Sequence, residues 1–131
     1  MQELERNPRD PNDRDLLISE WLRHAESGKA DGSWAYDALA GLIDEDPALA
    51  WAIILELVHR ASPGDAFDLV AAGPLEDLVA CHGREVIDLI EPRVTDDEPL
   101  RRALSGLWVG RDTLDPKTLE RLRNLGVERI G

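Results

Sequence analysis

Signals that begin and end helices recur at short intervals along this chain, and they limit its fold to a few arrangements. Asp46-Pro47 and Asp115-Pro116 each place a capping acid before a proline, a residue favoured at the first position of a helix. Ser62–Asp65 has the spacing of a capping box, and Gly73-Pro74 indicates a further helix start. Helix ends are indicated by glycines that suit a left-handed backbone, namely Gly28, Gly83 and Gly126.

Between these signals the apolar residues recur with the helical period of about 3.6 residues, and no alternating strand pattern competes. The predicted helices cover about residues 13–27, 34–44, 47–61, 63–72, 74–82, 84–94, 97–109 and 116–125. Their connections are short, so successive helices should pack antiparallel. The sequence therefore predicts an all-α fold, as a compact bundle or a short stack of antiparallel helical hairpins, with about seven to eight helices.

The length of 131 residues fits one domain. Residues 1–12 are rich in proline and charge, so we expect a mobile arm there, followed by a single helical domain over residues 13–131. The third helix has the most continuous apolar surface and is predicted to be central. Trp21, Trp108 and Cys81 fall at positions predicted to pack in the core.

Negative charge is concentrated in the middle of the chain. Residues 31–100 contain sixteen acidic and three basic side chains, whereas residues 101–131 contain four acidic and seven basic ones. A field of this sign repels nucleic acid and attracts basic partners, and the basic tail would pack against the acidic centre or a second copy. Seven of the central acids lie at predicted helix starts, where capping and the helix dipole explain them.

Some of the remaining acids are candidates for a partner-binding surface, with an ordinary solvated helix face as the alternative. These candidates are Asp37, Asp44, Glu45, Glu56, Asp88 and Glu91. Trp34 follows a predicted cap beside a glycine-containing loop, so we expect it to be partly exposed. A partly exposed tryptophan beside acids is typical of an interface anchor.

Other classes of site lack a sequence pattern. Cys81 and the histidines, His24, His59 and His82, show no helical metal-ligand spacing, and the glycines form no phosphate-binding loop, so we expect no metal and no cofactor. No pair of carboxylates is framed as a catalytic acid and base, and no catalytic residue is predicted. The single cysteine fits a reducing compartment, and neither a signal peptide nor a membrane span is recognised, so a cytoplasmic location is expected.

Part of the chain resembles a known type of domain. DPALAW, LVAAGPLEDLVACHG, IDLIE and RRALSGLW, which together cover about half of the chain, are similar to a family of small helical bacterial domains with an AGPLEDL…HG core. That resemblance implies a helical fold and no assigned activity. The core motif corresponds to Gly73, Pro74, Leu75, Glu76, Asp77, His82 and Gly83. We interpret it as a tight corner between helices, and alternatively as a small polar site formed by Glu76, Asp77 and His82.

The charge pattern favours a non-enzymatic protein that binds a basic protein partner. A concrete version is an immunity protein or antitoxin that occludes the basic active site of a toxin, such as a nuclease. The first alternative is a structural or adaptor subunit whose acids serve only solubility. The second is an enzyme with a polar cleft near Glu76, Asp77 and His82.

Overall fold

The computed structural model describes residues 7–27, 34–61 and 64–131, with the side chain of Asp65 excepted. These residues are mostly helical, which confirms the predicted all-α class. The α-helices are α1 (Pro11–Ser27), α2 (Trp34–Glu45), α3 (Pro47–Ala61), α4 (Asp65–Val70), α5 (Glu76–Val94), α6 (Glu98–Ser105) and α7 (Pro116–Asn124). A π-helical turn, Ala71–Leu75, joins α4 to α5, so the described chain has six separate helical segments, somewhat fewer than predicted.

The acid-proline signals begin helices where the sequence places them. The Asp46 carboxylate accepts a hydrogen bond of 3.2 Å from the Leu49 amide at the start of α3. Asp115 accepts one of 3.2 Å from the Thr118 amide at the start of α7. Gly126 has a φ of 109° just after α7, the left-handed conformation expected of it.

One hydrophobic core cluster extends through the described helices, and α3 contacts α1, α2, α4, α5 and α6. Its apolar face is fully buried, as the sequence predicts for a central helix. The buried faces of α1 and α2 also match the predicted 3.6-residue stripes, with Trp21 in the core. The periodicity was therefore sufficient to identify most of the core.

Gly73-Pro74 does not begin a helix. Pro74 lies inside the π-helical turn, and the chain stays helical from α4 through this turn into the first part of α5. A proline inside an α-helix removes one hydrogen bond and its ring clashes with the carbonyl four residues earlier. A π turn widens the helix, and the Glu76 amide donates to the carbonyl of Ala71 across five residues, so the proline is accommodated without a break.

Gly83 lies beside a break between two helical stretches, close to the predicted helix end, but it does not take the left-handed conformation predicted for it. The backbone departs from helical geometry at His82, with φ −135° and ψ 27°, and α5 continues beyond this kink. A Cβ atom on Gly83 would lie 2.8 Å from Cδ1 of Leu114. The glycine therefore permits close packing of the 110–115 loop against α5, which a single sequence does not reveal.

Trp108 is not a core residue, because α6 ends at Ser105 rather than near residue 109. The chain becomes a short strand, β1 (Trp108–Val109), paired in parallel with β2 (Arg129–Ile130), which the helical pattern did not predict. The Trp108 side chain is 61% exposed. Cys81, also predicted to be in the core, is exposed on α5.

At the amino-terminal side, α1 begins at Pro11, within the segment predicted to be an arm. Residues 7–10 form a turn, and the Arg9 guanidinium lies 3.2 Å from the Asp46 carboxylate. Residues 1–6 of the predicted arm, the predicted helix end at Gly28, and Ser62 and Pro63 of the predicted capping box lie outside the described residues. No helix within the described ranges combines the length and apolarity needed to cross a membrane.

Candidate functional site

The six acids predicted to bind a partner fall into two groups in the structure. The acids of the first group, Glu56, Asp88 and Glu91, pair with arginines of the chain. The carboxylate of Glu56 on α3 lies 3.0 Å from Nη2 of Arg60. The same Arg60 nitrogen lies 2.9 Å from Asp15 on α1. These carboxylates, Asp15 foremost, raise the pKa of Arg60 above its ordinary value. Glu56 therefore helps to join α1 and α3.

Asp88 and Glu91 on α5 are engaged by Arg121 of α7. Nη2 of Arg121 lies 2.7 Å from the Asp88 carboxylate, and Nε of Arg121 donates to Glu91 at 3.0 Å. The hydrogen bond from Arg121 lowers the pKa of Glu91, and the hydrogen bonds that Arg121 makes with Glu91 and Asp88 raise the pKa of Arg121. The expectation that the basic tail packs against the acidic centre is met at this residue. Both acids are consequently occupied within the chain.

The second group lies on α2. Asp37, Asp44 and Glu45 are exposed, and none of them makes an ion pair or side-chain hydrogen bond with a described residue. Asp37 and Asp44 are seven positions apart, so they share the face of α2 opposite its buried stripe. We call Asp37, Asp44 and Glu45 the α2 acids. Trp34, the first residue of α2, is half-buried and packs against the core.

Glu76, Asp77 and His82 are placed in three different surroundings. Oε1 of Glu76 accepts a hydrogen bond of 2.9 Å from the Trp108 amide, which fixes β1 against α5. Nδ1 of His82 lies 3.0 Å from Oε1 of Glu85. Asp77 lines a separate groove. The structure therefore brings no two of these residues to one cleft.

The groove beside Asp77 lies between α1, α2 and the π-helical turn, and we call it the α2 groove. Its volume is about 140 Å³. The rings of Trp21 and Tyr36 stack along it with centroids 4.7 Å apart and planes 4° apart. Burial raises the pKa of the Tyr36 phenol above its ordinary value. The lining is completed by Leu39, Ala40, Ile43, Gly73, Pro74 and Asp77.

A larger cleft of about 660 Å³ opens at the kink of α5. Cys81 and His82 line one side, and Thr113 and Asp115 line the other. Nε of Arg84 lies 3.7 Å from the Asp115 carboxylate across it. The Thr118 hydroxyl, donating to Asp115, contributes most to lowering the pKa of that acid. In the described part of the chain, no group of three His, Cys, Asp or Glu residues is arranged to hold a metal ion.

Two residues have places in the structure that were not predicted from the sequence. Asp97 is buried and bridges α6 to α3, because its carboxylate meets the Leu100 amide at 3.0 Å and Nε2 of His59 at 2.6 Å. Its capping role was readable from the sequence, but the contact with His59 was not. Trp108 is the most exposed large apolar residue described, and Gly106 was the signal that could have ended the predicted helix before it.

Comparison with known proteins gives one match. The model of a family described as "Family of unknown function (DUF6869)" matches residues 22–130. This range includes α2, the cleft at the kink of α5, every candidate acid, and all the residues that line the α2 groove except Trp21. No curated protein matches the chain, and no solved structure does.

Proposed function

The chain belongs to the DUF6869 family of unknown function, and from this premise we propose that it is a non-enzymatic protein that binds a basic protein partner. The binding surface is the exposed face of α2, with Asp37, Asp44 and Glu45 as the contacting carboxylates. Glu56, Asp88 and Glu91 contribute to the long-range field but make their short contacts within the chain.

One observation carries this proposal: arginines pair with the other three candidate acids, Glu56, Asp88 and Glu91, while the α2 acids have no ion-pair partner among the described residues. Exposed carboxylates on one helix make the local electrostatic potential more negative. A positively charged partner relieves that repulsion and is steered towards the surface, so association is fast and weakens with salt. A formal net charge of −12 for the chain acts in the same direction.

The most concrete form of this function is an immunity protein or antitoxin that covers the basic active site of a toxin, such as a nuclease. Nuclease sites bind phosphates with basic side chains, and a rigid acidic helix is complementary to such a surface. Inhibition would be steric, with no chemistry on either protein. A cytoplasmic location, consistent with the single cysteine, is part of the same proposal.

The test compares two triple variants that remove the same number of charges. Asp37→Asn/Asp44→Asn/Glu45→Gln neutralises the α2 acids, and Asp68→Asn/Glu120→Gln/Glu128→Gln neutralises three exposed acids elsewhere. Each tagged protein is incubated with extract of the native host at low salt, and the retained proteins are quantified. We expect a basic protein that the wild type and the second variant retain, that the first variant loses, and that high salt elutes.

Two results would overturn the proposal. Equal retention by the two variants would show that net charge, rather than α2, governs binding. Retention that is unchanged by salt would exclude an electrostatic surface. Circular dichroism of both variants verifies that the helices are intact.

A second candidate function is favoured by the exposed indole of Trp108. The structural or adaptor alternative requires an apolar contact, and Trp108 offers the largest exposed one among the described residues. Trp108→Ala would then abolish assembly while the α2 variant would not. The enzyme alternative has no such support, since Glu76, Asp77 and His82 are not brought together.

A further inference from the structure

The contacts among the described residues give Asp77 no partner. At a helix start it would be explained by capping, but the helical segment runs without interruption from α4 through the π-helical turn into α5. Its neighbour Glu76 is used to hold the Trp108 amide. Asp77 is exposed and makes no ion pair or side-chain hydrogen bond with a described residue. Its carboxylate therefore has no partner among the described residues, and it lies at the edge of the α2 groove.

The α2 groove combines this carboxylate with an apolar wall. The wall is formed by the stacked rings of Trp21 and Tyr36, by aliphatic side chains of α2, and by Pro74. None of the residues that line the groove is basic, so nothing within it balances Asp77. A volume of about 140 Å³ holds a single side chain rather than a helix or a strand.

We propose that the α2 groove receives one arginine side chain of the basic partner, an inference that rests on the proposed function. Arginine combines an apolar stem with a charged head, so the stem can cover apolar surface while the head meets a carboxylate. Its planar guanidinium also stacks on aromatic rings and pairs with a carboxylate through two hydrogen bonds, whereas a lysine ammonium does neither as well. The wall and Asp77 supply these complementary parts.

The position of the groove supports this occupant. Tyr36, Leu39, Ala40 and Ile43 of α2 form its wall, and the α2 acids lie on the same helix. Asp37 and Asp44 are three and four residues from Ala40 and so neighbour it on the helix surface, which brings a partner steered to them close to the groove. An uncharged apolar ligand would leave Asp77 unpaired and partly desolvated, which is unfavourable.

The experiment uses a defined probe, the tripeptide acetyl-Ala-Arg-Ala-amide, and the same tripeptide with norleucine in place of arginine. Binding is followed by nuclear magnetic resonance of the whole chain at low salt. We expect the arginine peptide to shift the signals of Tyr36, Ala40 and Asp77, and the norleucine peptide to leave them unchanged. Asp77→Asn should weaken the arginine peptide about fivefold, as expected for one exposed ion pair with good geometry. Asp68→Asn, which removes an exposed acid outside the groove, should not weaken it.

A second pair of variants separates the groove from its charge. Ala40 is exposed and lines the groove, so Ala40→Leu fills it while every carboxylate remains. Ala52→Leu adds the same side chain at an exposed position of α3. We expect Ala40→Leu to abolish the peptide-induced shifts and Ala52→Leu to preserve them. Equal shifts from the two peptides, or equal weakening by Asp77→Asn and Asp68→Asn, would overturn the inference.

The two proposals fail in distinguishable ways. If the native partner depends on the α2 acids but is unaffected by Asp77→Asn and Ala40→Leu, the groove is not its contact and the proposed function stands. If the arginine peptide binds the groove but no native partner depends on the α2 acids, the proposed function fails alone.

Discussion

The contact between Asp97 and His59 should contribute measurably to the stability of the fold. Asp97 is 8% exposed, and one oxygen caps α6 through the Leu100 amide at 3.0 Å while the other meets Nε2 of His59 at 2.6 Å. In this contact the imidazole nitrogen donates and the carboxylate accepts. Replacing Asp97 with alanine removes both interactions at once, so α6 loses its cap and its hydrogen bond to the central helix, while its apolar packing remains.

The size of the effect follows from these two contacts. Loss of an N-cap costs about 1 kcal/mol. A hydrogen bond to a charged group is worth roughly 1.5–3 kcal/mol, but the His59 side chain is 42% exposed, so water replaces part of it and about 1 kcal/mol remains. Asp97→Ala should therefore lower the free energy of unfolding by about 2 kcal/mol. With a urea m-value of about 2 kcal/mol/M, the midpoint falls by about 1 M.

Urea unfolding of five proteins, the wild type, three single variants and one double variant, tests this reasoning. Asp97→Asn keeps a capping oxygen and should lose about half as much as Asp97→Ala. His59→Gln should cost about 1 kcal/mol in the wild type and close to nothing in the Asp97→Ala background, because the contact is already lost there. If the His59 and Asp97 substitutions are additive, the 2.6 Å contact contributes nothing and the argument is refuted.

Three further results are expected. Cys81 is exposed, so in the folded protein it should react with a disulfide reagent at a rate within about tenfold of its rate in urea. A reaction slower by orders of magnitude would show that Cys81 is buried in the core. Gly83→Val should lower the free energy of unfolding by about 2 kcal/mol, because the added side chain overlaps Leu114, and an unchanged urea midpoint would contradict that packing. The contribution of the Arg121–Glu91 pair should be full above the unfolded-state pKa of glutamate, about 4.3, and disappear as the pH falls through the lowered pKa of Glu91. Acid unfolding of wild type and Arg121→Gln should accordingly converge at low pH, and a constant difference would count against the pair.

The helices that were predicted well carry complete local signals. For α3, Asp46 and Pro47 mark the start, and the apolar stripe continues to its last residue, so the predicted bounds agree with Pro47–Ala61. The errors occur where tertiary contacts, rather than local sequence signals, determine the conformation of the backbone. Pro74 is tolerated in a π-helical turn, and Gly83, beside the kink at His82, lies where an added Cβ would meet Leu114. No local sequence pattern distinguishes this proline and this glycine from residues that begin or end a helix.

The sequence predicted the type of residue in the candidate site, but not which of the acids remain without a partner in the chain. Its acids could be named from charge and position, and those on α2 remain candidates. Glu56 could have been assigned to Arg60 from its helical spacing of four residues. Asp88 and Glu91, in contrast, lie at least thirty positions from Arg121, and only the docking of α7 on α5 brings them together.

The internal ion pairs also change what the charge of the chain can do. Arg60 and Arg121 lie beside acids of α1, α3 and α5, so the field is weakened over those helices. The described residues offer no comparable compensation at Asp37, Asp44, Glu45 or Asp77. Because α2 carries three of these acids and also forms a wall of the groove beside the fourth, a group of unpaired carboxylates and a cavity of side-chain size lie on the same helix. Long-range steering and short-range anchoring can thus act on the same cationic partner at one helix, which solubility alone would not require.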